Sequence, residues 1–169
     1  MEKAKAILKN QDGGEDIHFM FNPKELSFKN SVSTADNPGA RSQRSGRPKV
    51  SFSNIPPKII TISNILFDTF ETGEDVIERY IKPLEKATQF INGKQRPPVY
   101  CFLWGRQYLE YCFIEQLSYK LTMFSKTGIP VRGVIENLTL KETERPSDDR
   151  SSAPASQPNP KQDNIASRR

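Results

Sequence analysis

The sequence predicts a mainly β domain, a small antiparallel β-barrel or sandwich with one flanking α-helix kinked by proline. Three observations lead there. Apolar residues alternate with polar ones, or cluster as β-branched runs, over many short stretches. Glycine- and proline-rich turns separate those stretches. Only one segment, between Thr72 and Gly93, carries an apolar stripe at helical spacing.

Taken in order, residues 3–9 (KAKAILK) and 16–21 (DIHFMF) flank the Gly-Gly turn QDGGE and form a first hairpin. Asn22-Pro23 breaks the run, and Leu26-Ser27-Phe28 resumes alternation toward Val32. From Ser33 to Pro48 the composition is turn-like, with Asn37-Pro38-Gly39 and Gly46, and reads as a long loop. Val50 and Phe52 mark a short strand. After Pro56-Pro57, the β-branched run Ile59-Ile60-Thr61-Ile62 opens another that ends near Phe67.

The helix is placed with Thr72 as its cap and Asp75 three residues on, where acidic side chains suit the positive end of the helix dipole. Val76, Ile77, Tyr80, Ile81, Leu84, Ala87 and Ile91 form its stripe. Pro83 lacks the N–H an interior position needs, so it kinks or splits the helix. Asn92-Gly93 is the expected end.

Beyond Pro97-Pro98, a two-residue turn at Gly105-Arg106 sets a hairpin register with Trp104 opposite Gln107, Phe102 opposite Leu109 and Tyr100 opposite Tyr111. One face then carries Tyr100, Phe102, Trp104, Leu109, Tyr111 and Phe113, read as core or interface aromatics. The other carries Val99, Cys101, Leu103, Cys112 and Ile114, so both faces are expected to be covered. Cys101 and Cys112 fall diagonal to one another, poor placement for a disulfide, and are read as free, buried thiols. A last hairpin runs from Leu117 to Phe124, turns at Ser125–Gly128 and returns from Val131 to Lys141. That makes six or seven strands.

The apolar content is 35%, with a mean hydropathy of −0.66, and the shortfall is concentrated at the end of the chain. Residues 144–169 hold four prolines, five serines and one large aliphatic, Ile165, too little apolar surface to offset ordering entropy. The expected organisation is therefore a domain at 1–143 and a disordered Pro/Ser-rich tail at 144–169. The net charge of +5 is uneven: between Asn37 and Phe67 there is no acidic residue, whereas Arg41, Arg44, Arg47, Lys49 and Lys58 are basic. Such a patch faces water, an acidic protein partner or a polyanion. The first ten residues lack a signal-peptide core, and no stretch approaches the roughly 20 apolar residues that cross a bilayer. Synthesis and assembly in the cytoplasm, without membrane insertion, are expected.

Little in the chain points to catalysis. The lone histidine, His18, reads as a solvated edge-strand residue with no second ligand near it in sequence. Glu74 and Asp75 are explained by helix capping before acid–base work. No nucleophile elbow, phosphate loop or zinc motif is present, so no cofactor or metal is expected and the chain is read as not an enzyme. A rival reading is a nucleic-acid-binding β-barrel that uses the basic loop 37–49 and stacks bases on Tyr100, Phe102 or Tyr111. Those aromatics sit in the middle of alternating strands, which favours the core.

Several short elements fall in a recognisable order. Phe21-Asn22-Pro23 with Leu26, Pro56-Pro57 before an aliphatic strand, Leu66-Phe67-Asp68-Thr69, and Gly73-Glu74-Asp75-Val76 come first. Arg96-Pro97-Pro98, Trp104-Gly105, and Phe124 followed by Gly128, Pro130, Val131 and Arg132 complete the series. This pattern resembles the tube-protein domain of contractile injection systems, the phage-tail-like machines that drive a spike through a target envelope. The resemblance implies a phage tail-tube-like fold and a structural role in a sixfold ring. Members with this pattern sit at the baseplate end, where they initiate the inner tube and adapt it to the trimeric spike hub. It implies as partners the chain itself, the inner-tube protein, the spike hub and other baseplate proteins, within a particle that can be released. Relatives commonly carry a LysM module after this domain; residues 144–169 are too short and polar to be one. Arg41, Arg44, Arg47 and Lys49 are the expected contacts to a neighbouring subunit or ring.

Overall fold

The computed structural model describes residues 4–41, 46 and 48–146. Nine strands occur among them: β1 (Ile7–Asn10), β2 (Ile17–His18), β3 (Glu25–Lys29), β4 (Ser33–Arg41), β5 (Pro48–Asn54), β6 (Ile59–Asp68), β7 (Tyr100–Trp104), β8 (Gln107–Phe124) and β9 (Pro130–Glu142). Seven form one antiparallel sheet in the order β2-β1-β7-β8-β9-β6-β3. β4 and β5 pair only with each other. The stretch read as a long loop is thus largely strand. Asn37-Pro38-Gly39 fall within β4 at a register shift between Asn37 and Arg41 rather than in an open loop.

The long sheet does not close into a barrel, since β2 and β3 remain its two ends. It rolls, however. Met20, just past β2, reaches β6 near the opposite end, where the Asp68 amide donates to Met20 Sδ at 3.4 Å. Inside the roll lies one core that joins Leu8, Ile17 and Phe19 to Ile60, Ile62, Ile65, Phe67, Phe102, Ile114, Leu138 and Leu140.

The helix fills the roll. It is split as Pro83 requires: a π-helical turn at Ile77–Ile81 precedes α1 (Lys82–Ala87), with proline in the first turn of α1, where a missing N–H costs little. Its cap differs from the sequence reading. Asp75 Oδ1 accepts from the Ile77 amide, while Thr72 Oγ1 turns back to Thr69 O. The helix also stops earlier, at Thr88, and Gly93 (φ 81°) belongs to a separate turn in which Ile91 and Arg96 pair. Val76, Ile81, Leu84 and Ala87 are buried, and Tyr80 stacks on Phe67 with centroids 4.9 Å apart. Gly133 of β9 lies beneath Ile81 and Val76, whose side chains come within 3.6 and 3.8 Å of where a Cβ would sit, an ordinary contact distance.

Three irregularities set which side chains face the core. In β7–β8 the register runs Trp104↔Gln107 and Phe102↔Leu109 as the turn dictates, then shifts so that Tyr100 meets Cys112 rather than Tyr111. Beyond that bulge Cys112 and Ile114 point inward, and Tyr111 and Phe113 fall half-buried on the other face. A second shift near Ile114 restores inward Leu117, Tyr119 and Leu121, so the two expected strands are one continuous β8. In β6, Asn64 takes φ 56°, and the buried positions change from Ile60 and Ile62 to Ile65 and Phe67. β9 changes parity opposite it, from Leu138 to Ile135.

Candidate assembly surface

The β1–β2 turn is built by side chains. Asn10 Oδ1 accepts from the amides of Asp12 and Gly14, and Asp16 Oδ1 accepts from the Asn10 amide. This presents Asp12 to the segment before β7. Its carboxylate accepts from Arg96 Nη2 at 2.7 Å, Arg96 Nη1 at 2.9 Å, Lys94 Nζ at 3.1 Å and the Val99 amide at 2.9 Å. The Arg96 bonds above all hold its carboxyl well below the ordinary carboxylate range, against the opposing effect of burial. At the far end of the sheet Asp68 is paired with Arg132 at 2.6 Å, and its carboxyl is lowered first by the Phe70 amide and then by Arg132. Asn22 sits between these ends. Its amide accepts from Ala6 N and donates to Ala4 O, standing in for a strand partner.

These polar groups fasten the fold, and nothing in them assembles a reaction centre. His18 lies exposed on the edge strand β2, Glu74 binds Arg79, and Asp75 caps the helix. Among the described residues no three or more His, Cys, Asp or Glu side chains converge as metal ligands. Cys101 and Cys112 form no disulfide. Cys112 is fully buried with its thiol toward Tyr100 O, and burial pushes its pKa up to about 12.

The surface tells more than the interior. The β4–β5 hairpin carries Val50 and Phe52 two residues apart, hence on one face, with Phe52 77% exposed and the following Ile55 83% exposed. Val32, leading into β4, is also exposed. Of the basic residues expected to make contacts, Arg41 falls at the end of β4 and Lys49 in β5, opposite Asn37. Arg44 and Arg47 lie outside the described residues. Among the aromatics, Tyr100 and Phe102 are core, whereas Trp104, Tyr111 and Phe113 are half-buried. Sequence reading missed the Asp12 cluster, because an Asp-Gly-Gly turn explains itself without a distant partner. It also missed a cleft of about 330 Å³ lined by Met20, Phe21 and Phe70 and by polar groups that include the Asp68–Arg132 pair and Glu71. Phe21, read as part of the first hairpin, lies beyond the end of β2 at His18.

No helix among the described residues is long and apolar enough to cross a membrane. No curated protein matches the chain. A family model described as contractile injection system tube protein matches residues 2–151. That match spans the rolled sheet, its plugging helix and the two-stranded β4–β5 sheet, and the chain belongs to the contractile injection system tube protein family.

Proposed function

We propose that this tube protein forms a sixfold ring at the baseplate end of the injection particle, where it starts the inner tube and adapts it to the spike hub. The observation that carries the reading is the β4–β5 hairpin. A two-stranded hairpin is marginal in water on its own. This one pairs with no other strand among the described residues, and Phe52 within it and Ile55 just after it are exposed. Such a surface is stabilised when another chain covers it. The run of positive charge along the same segment selects an acidic protein surface as the cover. A ring gives every copy the same neighbour and leaves no hairpin uncovered.

Co-expression with the inner-tube and spike-hub proteins tests this. The wild-type chain is expected to co-purify with both as a ring. Phe52→Ser with Ile55→Ser is expected to give a folded chain that does not. Full co-purification of the double variant would overturn the reading.

A further inference from the structure

The positive hairpin has a counterpart on the same chain. Residues 68–78 carry Asp68, Glu71, Glu74, Asp75 and Glu78 with no lysine or arginine, directly after the stretch 37–67 that has no acid. In the fold the base of the hairpin and residues 68–78 adjoin opposite ends of β6. Lys29 pairs with Ile59, so the strands on either side of the hairpin leave the sheet together at the start of β6. Asp68 ends that strand nine residues on, about 30 Å away at the usual rise.

At the acidic end is the cleft between Phe21 and Phe70. Both rings are about half exposed, at 47% and 56%. Asp68 and Glu74 there are already paired, with Arg132 and Arg79, while Glu71 on the rim is exposed with no partner among the described residues. The cleft thus offers two exposed phenylalanine rings beside a carboxylate that has no partner among the described residues. The hairpin offers uncovered Phe52 and Ile55 on a cationic segment. Each supplies what the other lacks, and their separation along β6 keeps them from meeting within one chain.

We infer that the Phe21–Phe70 cleft receives the Phe52–Ile55 end of the hairpin from a second copy of this chain. The contact is heterologous, one patch against a different patch, which is the kind that propagates around a ring or from one layer to the next. It rests on the proposed ring assembly and adds the receiving surface. Glu71 sets the polarity: the cationic hairpin approaches the acidic end, and two acidic ends repel.

The test uses the full chain and introduced cysteines. Phe52→Cys and Phe70→Cys chains are prepared separately, mixed and exposed to a short bismaleimide, with each variant plus wild type controlling for Cys101 and Cys112. Crosslinked dimer is expected only from the mixed pair. Phe70→Ser and, separately, Glu71→Lys are expected to weaken self-association at least about tenfold, the scale of a central interface residue. Glu71 is exposed and has no partner among the described residues, so its variant keeps the test valid if Phe70→Ser fails to fold. Assembled rings with no 52–70 crosslink and undiminished association of both variants would overturn this inference alone. So would a Phe70→Cys crosslink to the spike hub in place of a second copy. A wild-type chain that never self-associates would overturn the ring reading and this inference together.

Discussion

Arg96 grips Asp12 with two nitrogens across 84 residues of sequence, at 2.7 and 2.9 Å, and so ties the first hairpin to the entry of the central one. The Asp12 side chain is 7% exposed, which makes this fork a fastener of the domain rather than a surface ion pair. Asp12→Asn keeps the shape and removes the charge. It is expected to cost about 2 kcal/mol, within the range for hydrogen bonds to a charged group, and to lower the melting temperature by about 4–8 °C.

The same carboxylate gives an acid limb. Its folded-state pKa lies below the unfolded one, so its contribution is present in full above the ordinary carboxylate range. It is lost progressively as pH falls from about 5 toward the folded value. Melting temperature followed from pH 7 to pH 3 should therefore fall more steeply for wild type than for Asp12→Asn. Parallel curves would show that the fork contributes nothing to acid stability.

Burial separates two aromatics that a straight hairpin treats alike. Phe102 is fully buried, while Trp104 is half-buried at the edge of the core. Phe102→Ala is expected to cost about 3–5 kcal/mol and Trp104→Ala about half of that. Denaturant titration measures both, and an equal or reversed order would contradict the placement.

The two thiols should also differ. Cys112 is buried with its pKa near 12, so thiolate is scarce at pH 8 and reagent has no access. Cys101 is only half-buried. Mass spectrometry after alkylation of the native protein should find slow labelling at Cys101 and none at Cys112 until denaturant is added.

The basic hairpin yields a separable phenotype. Arg41, Arg44 and Arg47 changed together to Ala should leave the melting temperature nearly unchanged, because the hairpin lies outside the main core. Co-purification with the tube and spike-hub proteins should be lost. Retained assembly, with loss of nucleic-acid binding that wild type displays in a filter assay, would favour the nucleic-acid reading instead.

Much of this architecture was legible in the sequence because local chemistry agreed with tertiary packing. Gly13 and Gly105 sit in positive-φ turns where hairpins were expected, and Pro83 divides the helix where its missing N–H demands. The illegible part is long-range or depends on bulges. Nothing local announces that Tyr100 skips Tyr111 for Cys112, and one such shift moves every later side chain to the opposite face. Asn37-Pro38-Gly39 reads as loop because turn residues and strand irregularities share a composition. The motif elements themselves acquire reasons only in the fold. Arg96 holds Asp12, Asp68 pairs with Arg132, and Thr69 Oγ1 donates to Glu74 O and Val131 O. The receiving cleft draws on residues about 50 positions apart, Phe21 and Phe70, beyond the reach of any periodicity.

Ring formation is the claim on which the functional reading stands, and particle imaging tests it most directly. The wild-type chain, co-expressed with its tube and spike-hub partners, is purified and viewed by electron microscopy with class averaging. A sixfold ring of this chain between tube and spike hub is the expected result. A chain that remains monomeric beside fully assembled tube and hub, or a layer without sixfold symmetry at that junction, would contradict it.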